Sequence, residues 1–323
     1  VLAHHSLHAC VLNSLALSLA GITKETPDPP GGLIDRDLST GEPNGLLFEM
    51  LSYIREKVLP PLSEEELING IALANQHYLS LGITSLQEAT VTNGFSQWQT
   101  FRRFKDTGKL KSRVSMMFGI EAMSQFQEAG LAPGSGDSQL CLGGVKIILS
   151  ETTGKLNPPQ PELNQQALNV HRAGFQLAIH AIEPSTVEAA ITALEYIDSH
   201  FLQAGRRHRI EHCSECPPHL LKRLGKLKAV IVTQPPFLYY SGERYLATVP
   251  ARQQQWLYRF KAFLNSGLIV AGSSDCPVAP DNPLVGICAA VTRQVESGQQ
   301  LLPQECISVS QAMAMYTTNA AYA

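Results

Sequence analysis

Four polar residues close or interrupt four separate apolar runs. They are Lys146 in Gly143-Gly-Val-Lys-Ile-Ile-Leu149, His180 in Phe175-Gln-Leu-Ala-Ile-His180, His212 in Arg209-Ile-Glu-His212, and Asp275 in Ile269-Val-Ala-Gly-Ser-Ser-Asp275. These types can build a metal site around a hydrolytic water: neutral imidazole nitrogens ligate a divalent ion, and an aspartate ligates it and takes a proton from water beside it. Lys146 is the unusual member. A lysine is expensive to bury as a cation, burial favours its neutral amine, and a neutral amine can be carboxylated to a group with two oxygens.

Each residue also has a plainer reading. His180 or His212 alone is a satisfied core or rim histidine, and Asp275 before Cys276-Pro277 is a helix cap or loop turn. Lys146 pairs with Glu88 or Asp275, and Glu88, ending Ile83-Thr-Ser-Leu-Gln-Glu88, is either that partner or a further carboxylate ligand. Glu211 should face away from His212 because side chains alternate along a strand, which predicts a salt bridge on the helix side. Cys213-Ser-Glu-Cys216 has no second pair at zinc-ribbon spacing and reads as two loop cysteines. The aromatic stretches Pro235-Pro-Phe-Leu-Tyr-Tyr240 and Trp256-Leu-Tyr-Arg-Phe260 line an apolar pocket or pack a loop, and Arg244 and Arg293 meet a substrate carboxylate or pair at the surface.

The elements that position these residues alternate regularly. Strands are predicted near 83–88, 113–118, 143–149, 175–180, 207–212, 228–234 and 268–274, and helices near 95–107, 162–173, 185–200, 217–225, 251–266, 283–297 and 308–321. Alternating βα units imply a parallel sheet, and polar residues at successive strand ends imply the catalytic face of a (β/α)8 barrel. No Gly-x-Gly-x-x-Gly follows the first strand, which weakens a dinucleotide-binding fold. Residues 1–60 show no strand alternation; His8 to Leu19 is helix-like, and the segment reads as an excursion, or lid, over the mouth of a barrel at 61–323. Ser63-Glu-Glu-Glu66 reads as a helix start running to about Leu81.

Bulk composition sets the frame. The chain has 323 residues, 44% of them hydrophobic, and a formal charge of −3. No basic stripe points to nucleic acid, and no apolar run is long enough to span a membrane. Seven thinly spread cysteines fit a reducing cytoplasm better than a disulfide scaffold. Starting at Val1 and stopping within a helical stretch, the sequence reads as a piece of a longer protein.

Taken in order, several motifs resemble the amidohydrolase superfamily, and within it the YtcJ-like branch (amidohydrolase family 3). They are His8-Ala-Cys-Val-Leu-Asn-Ser-Leu-Ala-Leu17, Ala20-Gly-Ile-Thr23, Pro27-Asp-Pro-Pro-Gly-Gly32, Thr40-Gly-Glu-Pro43, Gly82-Ile-Thr-Ser85, Gly144-Val-Lys-Ile147, Ile179-His-Ala181, Ile210-Glu-His212, Gln234-Pro235, Gly272-Ser-Ser-Asp-Cys-Pro-Val278 and Tyr316-Thr-Thr-Asn-Ala-Ala321. The resemblance implies a distorted (β/α)8 barrel with a small β-sandwich built from the chain ends. It implies one or two divalent ions, zinc first, held by a carboxylated Lys146, His180, His212 and Asp275. Asp275 and His212 would be the catalytic residues, and His8, Tyr239 and Arg244 would face the substrate. The implied reaction is attack of a metal-activated hydroxide on a small amide-type substrate, cleaving a C–N bond other than a peptide bond, in a cytoplasmic enzyme whose homo-oligomeric state stays open. The sequence departs from the family pattern in three places. It carries no His-x-His strand, so strand one of the barrel is expected to be missing from this chain. Ala181-Ile-Glu-Pro184 stands where relatives continue Ala-Ile-Gly-Asp, and Ser150-Glu151 stands where they show Asp-Gly. The alternative is a degenerate barrel that binds a small molecule without turnover.

Overall fold

A computed structural model describes residues 1–201 and 206–323, which divide into two units, one of 1–70 with 150–159 and one of 71–149 with 160–323. The smaller unit holds β1 (Leu2–Ala3), β2 (Ala9–Val11), α1 (Ser14–Ala20), β3 (Leu33–Arg36), β4 (Pro43–Phe48), α2 (Leu51–Val58) and the start of α3 (Glu64–Ser80). Its strands form an antiparallel sheet in the order β1-β2-β4-β3. This corrects the expectation that residues 1–60 lack strands. The strands are two to six residues long, too short to display alternation, and β2 pairs with β4, a strand more than 30 residues further along the chain. Helix α1 is capped by the Asn13 side chain, which accepts from the Ala16 amide at 2.9 Å. Cys10, Leu12, Ile34, Leu47 and Ile54 form this unit's core.

The larger unit follows the predicted alternation closely. Its strands are β5 (Ser85–Glu88), β6 (Arg113–Gly119), β7 (Leu140–Ile148), β8 (Leu177–Ala181), β9 (Arg209–His212), β10 (Val230–Thr233) and β11 (Ile269–Gly272). They pair in parallel, in sequence order, as one seven-stranded sheet. Strands β8, β9 and β10 are buried at every residue, as expected for a parallel sheet covered on both faces. The helices are α4 (Phe95–Asp106), α5 (Met123–Glu128), α6 (Gln160–Arg172), α7 (Pro184–His200), α8 (Pro218–Leu227), α9 (Pro235–Thr248), α10 (Ala251–Gln254), α11 (Phe260–Asn265), α12 (Pro283–Thr292), α13 (Val309–Tyr316) and α14 (Thr318–Tyr322). Among the described residues no helix is long and apolar enough to cross a membrane.

One contact shows that the sheet curls. Arg209 on β9 donates to the Gln87 amide oxygen on β5 at 2.5 Å, although β8, β7 and β6 lie between them in the sheet. Four strand spacings laid flat would separate these residues by roughly 19 Å. A direct hydrogen bond therefore requires the sheet to wrap around its own interior, which is the arrangement of a partial (β/α)8 barrel. The seven strands seen among the described residues are the seven predicted.

Two predicted helices are broken or shorter in the structure, the one over 308–321 is split into α13 and α14, and α9 was not predicted. The stretch 251–266 is broken at Tyr258, buried and at φ +46°, into α10 and α11. The helix expected over 283–297 ends at Thr292 because Arg293 adopts φ +56° as its C-cap. Pro235-Pro236, read as a loop, occupy the first turn of α9, where missing N–H groups cost nothing. Finally, α14 closes the N-terminal end of the sheet. Gln176, just before β8, donates to the Ala323 carbonyl at 2.7 Å, Arg207, just before β9, donates to the Tyr322 carbonyl at 2.6 Å, and Ala320 packs on Val230, Val232 and Ala271.

Candidate active site

Strand register decides which side chains share the barrel interior. Lys146 pairs with Ala178 and Ala178 with Arg209; Ile148 pairs with His180 and His180 with Glu211. In-register residues of neighbouring parallel strands point the same way, so Lys146, His180, Arg209 and Glu211 occupy one face. Ile147, Ile179 and Ile210, the alternating row, face the helices. Ideal alternation would send His212 out with that row. Its backbone instead adopts φ +70°, and Cys213 follows at φ +48°. That left-handed turn, rare for side chains of this size, brings the His212 ring to 4.3 Å from the His180 ring, centroid to centroid and edge-on at 71°. The rings are buried, at 8% and 4% exposure.

His212 is held from behind. Its Nδ1 lies 2.7 Å from Gln234 Oε1, and Gln234 Nε2 donates to Ser273 Oγ at 3.0 Å. Burial pushes the His212 imidazolium below its ordinary pKa, against the pull of Asp275. Lys146 is 7% exposed. Burial drives its ammonium below the usual range, while Glu211, Asp275 and Glu88 draw it back up and Arg209 opposes them. Asp275 stands at the chain's exit from β11, exposed and at φ +56°.

Glu211 does not face the helices. It lies inside, 5% exposed, accepting from Arg209 Nε at 2.5 Å. Burial raises its carboxyl, but Arg209, Lys146 and His212 together hold it below the usual value. The alternation argument fails because its premise, an inward His212, is met by a backbone turn and not by the pleat. Glu88 is taken up locally: it accepts from Thr90 and from the Asn93 amide, and Asn93 also donates to the Met117 carbonyl at 3.0 Å. Burial pushes Glu88 up, against its hydrogen bonds from Thr90 and the more distant Lys146.

The aromatic neighbour of His212 is Phe237, in the first turn of α9, with rings stacked at 6.4 Å and 27°. Phe237 also meets Tyr258 at 6.5 Å. Tyr239 lies two residues on, against Tyr240 at 5.0 Å, and Arg244 is exposed over the Tyr245 ring at 5.0 Å. Sequence reading passed over Gln234, which sat within a quoted motif but meets His212 only in the fold; Phe237 lay in the stretch read as a pocket lining or as loop packing. Arg293 is fully buried and donates to the carbonyls of Leu301, Tyr258 and Leu257 at 2.9, 2.7 and 3.3 Å, which excludes a surface pair or a substrate contact. Gly272 makes room for the Tyr316 ring: an added Cβ there would lie 2.7 Å from it. Cys213 and Cys216 are buried free thiols. In the smaller unit, His8 Nδ1 lies 3.0 Å from both Glu49 carboxylate oxygens, and Thr152 donates to Glu49 at 3.2 Å.

The donor chemistry fits a divalent ion: two adjacent imidazoles, a carboxylate at the next strand end but one, and a lysine whose surroundings favour the neutral amine that carboxylation needs. Among the described residues no three His, Cys, Asp or Glu side chains form a group able to hold an ion unaided. His180, His212 and Asp275 do not by themselves make such a group.

Comparison with known proteins points the same way. The family model described as "Amidohydrolase family" matches residues 1–323. The chain is 26% identical to the putative amidohydrolase YtcJ of Bacillus subtilis (strain 168), covering 97% of this chain and 63% of that protein. It is also 26% identical to the N-substituted formamide deformylase of Arthrobacter pascens, covering 98% of this chain and 63% of that one. The chain thus spans about three fifths of the length of these curated relatives. Among solved structures, an uncharacterized metal-dependent hydrolase from Pyrococcus furiosus superposes with a TM-score of 0.74 at 26% identity, over 98% of this chain and 66% of that one.

Proposed function

The chain belongs to the amidohydrolase family, and on that premise we propose that it is the metal-binding barrel of a hydrolase that cleaves an amide-type C–N bond in a small molecule. The observation that carries the reading is the pair of buried imidazoles, His180 and His212, 4.3 Å apart on the face they share with the buried Lys146. A bound divalent ion, zinc by preference, polarises a carbonyl and lowers the pKa of nearby water toward neutrality. Lys146, carboxylated, with His180, His212 and Asp275, would hold it. Asp275, exposed at the strand end, takes the proton from water as the general base and passes it to the leaving nitrogen. Phe237 offers an apolar wall beside His212, which suits a substrate with an apolar or aromatic substituent. The deformylase relative makes N-substituted formamides the first compounds to try. His8, Tyr239 and Arg244 are kept as candidate substrate contacts: His8 pairs with Glu49 within the smaller unit, Tyr239 packs on Tyr240 and Arg244 lies over the Tyr245 ring.

The test is metal content and turnover together. Purified without chelator, the protein should carry one or two equivalents of transition metal and hydrolyse N-substituted formamides or related amides, and both should vanish in a His180→Asn/Asp275→Asn variant. Metal without turnover across a broad amide panel would favour the non-catalytic binding barrel, and no metal would sink the hydrolase reading.

A further inference from the structure

Gln234 is 1% exposed, so both ends of its amide must find partners inside the protein. The partners are His212 Nδ1, 2.7 Å from Oε1, and Ser273 Oγ, 3.0 Å from Nε2. An amide oxygen only accepts, so the His212 nitrogen facing it must carry the proton. A neutral imidazole has one N–H and one lone pair, and placing the proton on Nδ1 leaves the lone pair on Nε2. We propose that Gln234 is a positioning residue that fixes His212 as its Nδ1–H tautomer, presenting Nε2 as the ligating nitrogen, and that ties this histidine to the segment carrying Asp275.

The second half of the proposal rests on the strand ends. Ser273 follows β11 and stands two residues before Asp275. Its amide donates to the Thr233 carbonyl at 2.9 Å, and its hydroxyl meets the amide of the next residue, Gln234. Two hydrogen bonds therefore bind the ends of β10 and β11 at the point where the Asp275 loop departs. A side chain that only filled space would need neither polar end, and an apolar residue of similar volume would avoid burying an amide. The tautomer claim stands on the hydrogen bonds alone. Its consequence for metal affinity rests on the function proposed above.

Long-range nitrogen NMR on the 15N-labelled, metal-free protein at pH 8 tests the tautomer, with the His212 ring signals assigned by their loss in His212→Gln. The expected spectrum has His212 Nδ1 protonated and Nε2 bare. The opposite tautomer in the unsubstituted protein would overturn the proposal without recourse to any variant. Gln234→Ala should release the ring to the other tautomer or to a mixture, whereas Gln234→Glu, which keeps an acceptor at the same reach, should leave Nδ1 protonated. Zinc affinity, measured against a chromophoric chelator, should weaken about 10- to 100-fold in Gln234→Ala and recover to within a few-fold in Gln234→Glu. An unchanged tautomer and unchanged zinc affinity in Gln234→Ala would also overturn it. If the unsubstituted protein shows the Nδ1–H tautomer and binds no zinc, the hydrolase reading fails while the positioning role of Gln234 stands.

Discussion

Arg209 and Glu211, two residues apart on β9, form an ion pair inside the barrel, Nε to Oε1 at 2.5 Å, with the arginine 1% and the glutamate 5% exposed. The arginine's other contacts are Gln87 across the barrel and the Met117 sulfur. Glu211 is also the principal negative neighbour of Lys146, so one carboxylate faces both the Arg209 guanidinium and the buried Lys146 side chain.

Removing that carboxylate should be costly. Glu211→Gln leaves Arg209 buried without its counter-ion, and the expected loss is about 3–5 kcal/mol, read as a lower urea midpoint with an unchanged slope. An Arg209→Met/Glu211→Leu double variant should regain much of the loss, because removing both charges removes the desolvation penalty with the attraction. A double variant no more stable than Glu211→Gln would show that the pair itself, not its imbalance, holds the barrel interior.

Acid should destabilise the barrel from a second, part-buried site. His208 Nε2 lies 2.8 Å from His171 Nδ1, and His208 Nδ1 accepts from the Leu177 amide at 3.0 Å. Burial, reinforced by His171 and Arg206, lowers the His208 pKa from 6.5 to about 3. Between these values the unfolded chain binds a proton that the folded one refuses, so stability rises with pH across this window and is lost progressively as pH falls below 6.5. Melting temperatures recorded from pH 7 down to 4 should fall more steeply for the unsubstituted protein than for His208→Gln; parallel curves would exclude His208 as a source of the slope.

Carbon dioxide should matter to metal loading. If Lys146 enters the site as a carbamate, reconstituting the metal-stripped protein with zinc should take up more metal in bicarbonate-containing buffer than in carbonate-free buffer. Lys146→Met should be insensitive to bicarbonate and should lose hydrolysis. Equal uptake in both buffers by the unsubstituted protein would argue for a site held without the modified lysine.

The Tyr316 ring occupies the space that two glycines leave open. Its hydroxyl is buried with no hydrogen-bond partner among the described residues, and a Cβ added at Gly286 would lie 1.8 Å from that oxygen. Tyr316→Phe should be neutral or stabilising, since it removes an unsatisfied polar group. Gly286→Ala should destabilise by about 1–3 kcal/mol, and combining the two should recover only part, because the ring carbon Cζ would still lie 2.6 Å away. Differential scanning calorimetry of the three variants decides this.

What the sequence by itself determined is the alternation of the larger unit and the polar residues that close or interrupt its apolar runs. Buried parallel strands are written as short apolar runs, such as Val230-Ile-Val-Thr233, and a polar residue ending such a run stands out against it. Lys146, His180 and His212 were legible for that reason. Tertiary structure alone decided which way those residues face and what stands behind them. Glu211 lies inside by register with His180, and His212 joins it there because a left-handed residue at the end of β9 overrides the pleat; Arg209 reaches Gln87 only because the sheet curls; Gln234 meets His212 only because β10 lies beside β9. The short strands before residue 50 escaped notice because their partners are as much as 39 positions away, as with Ala9 and Phe48. Periodicity is a local property that a chain displays along its length, whereas pairing, facing and the partner of a buried amide are set by neighbours that meet only when the chain has closed on itself.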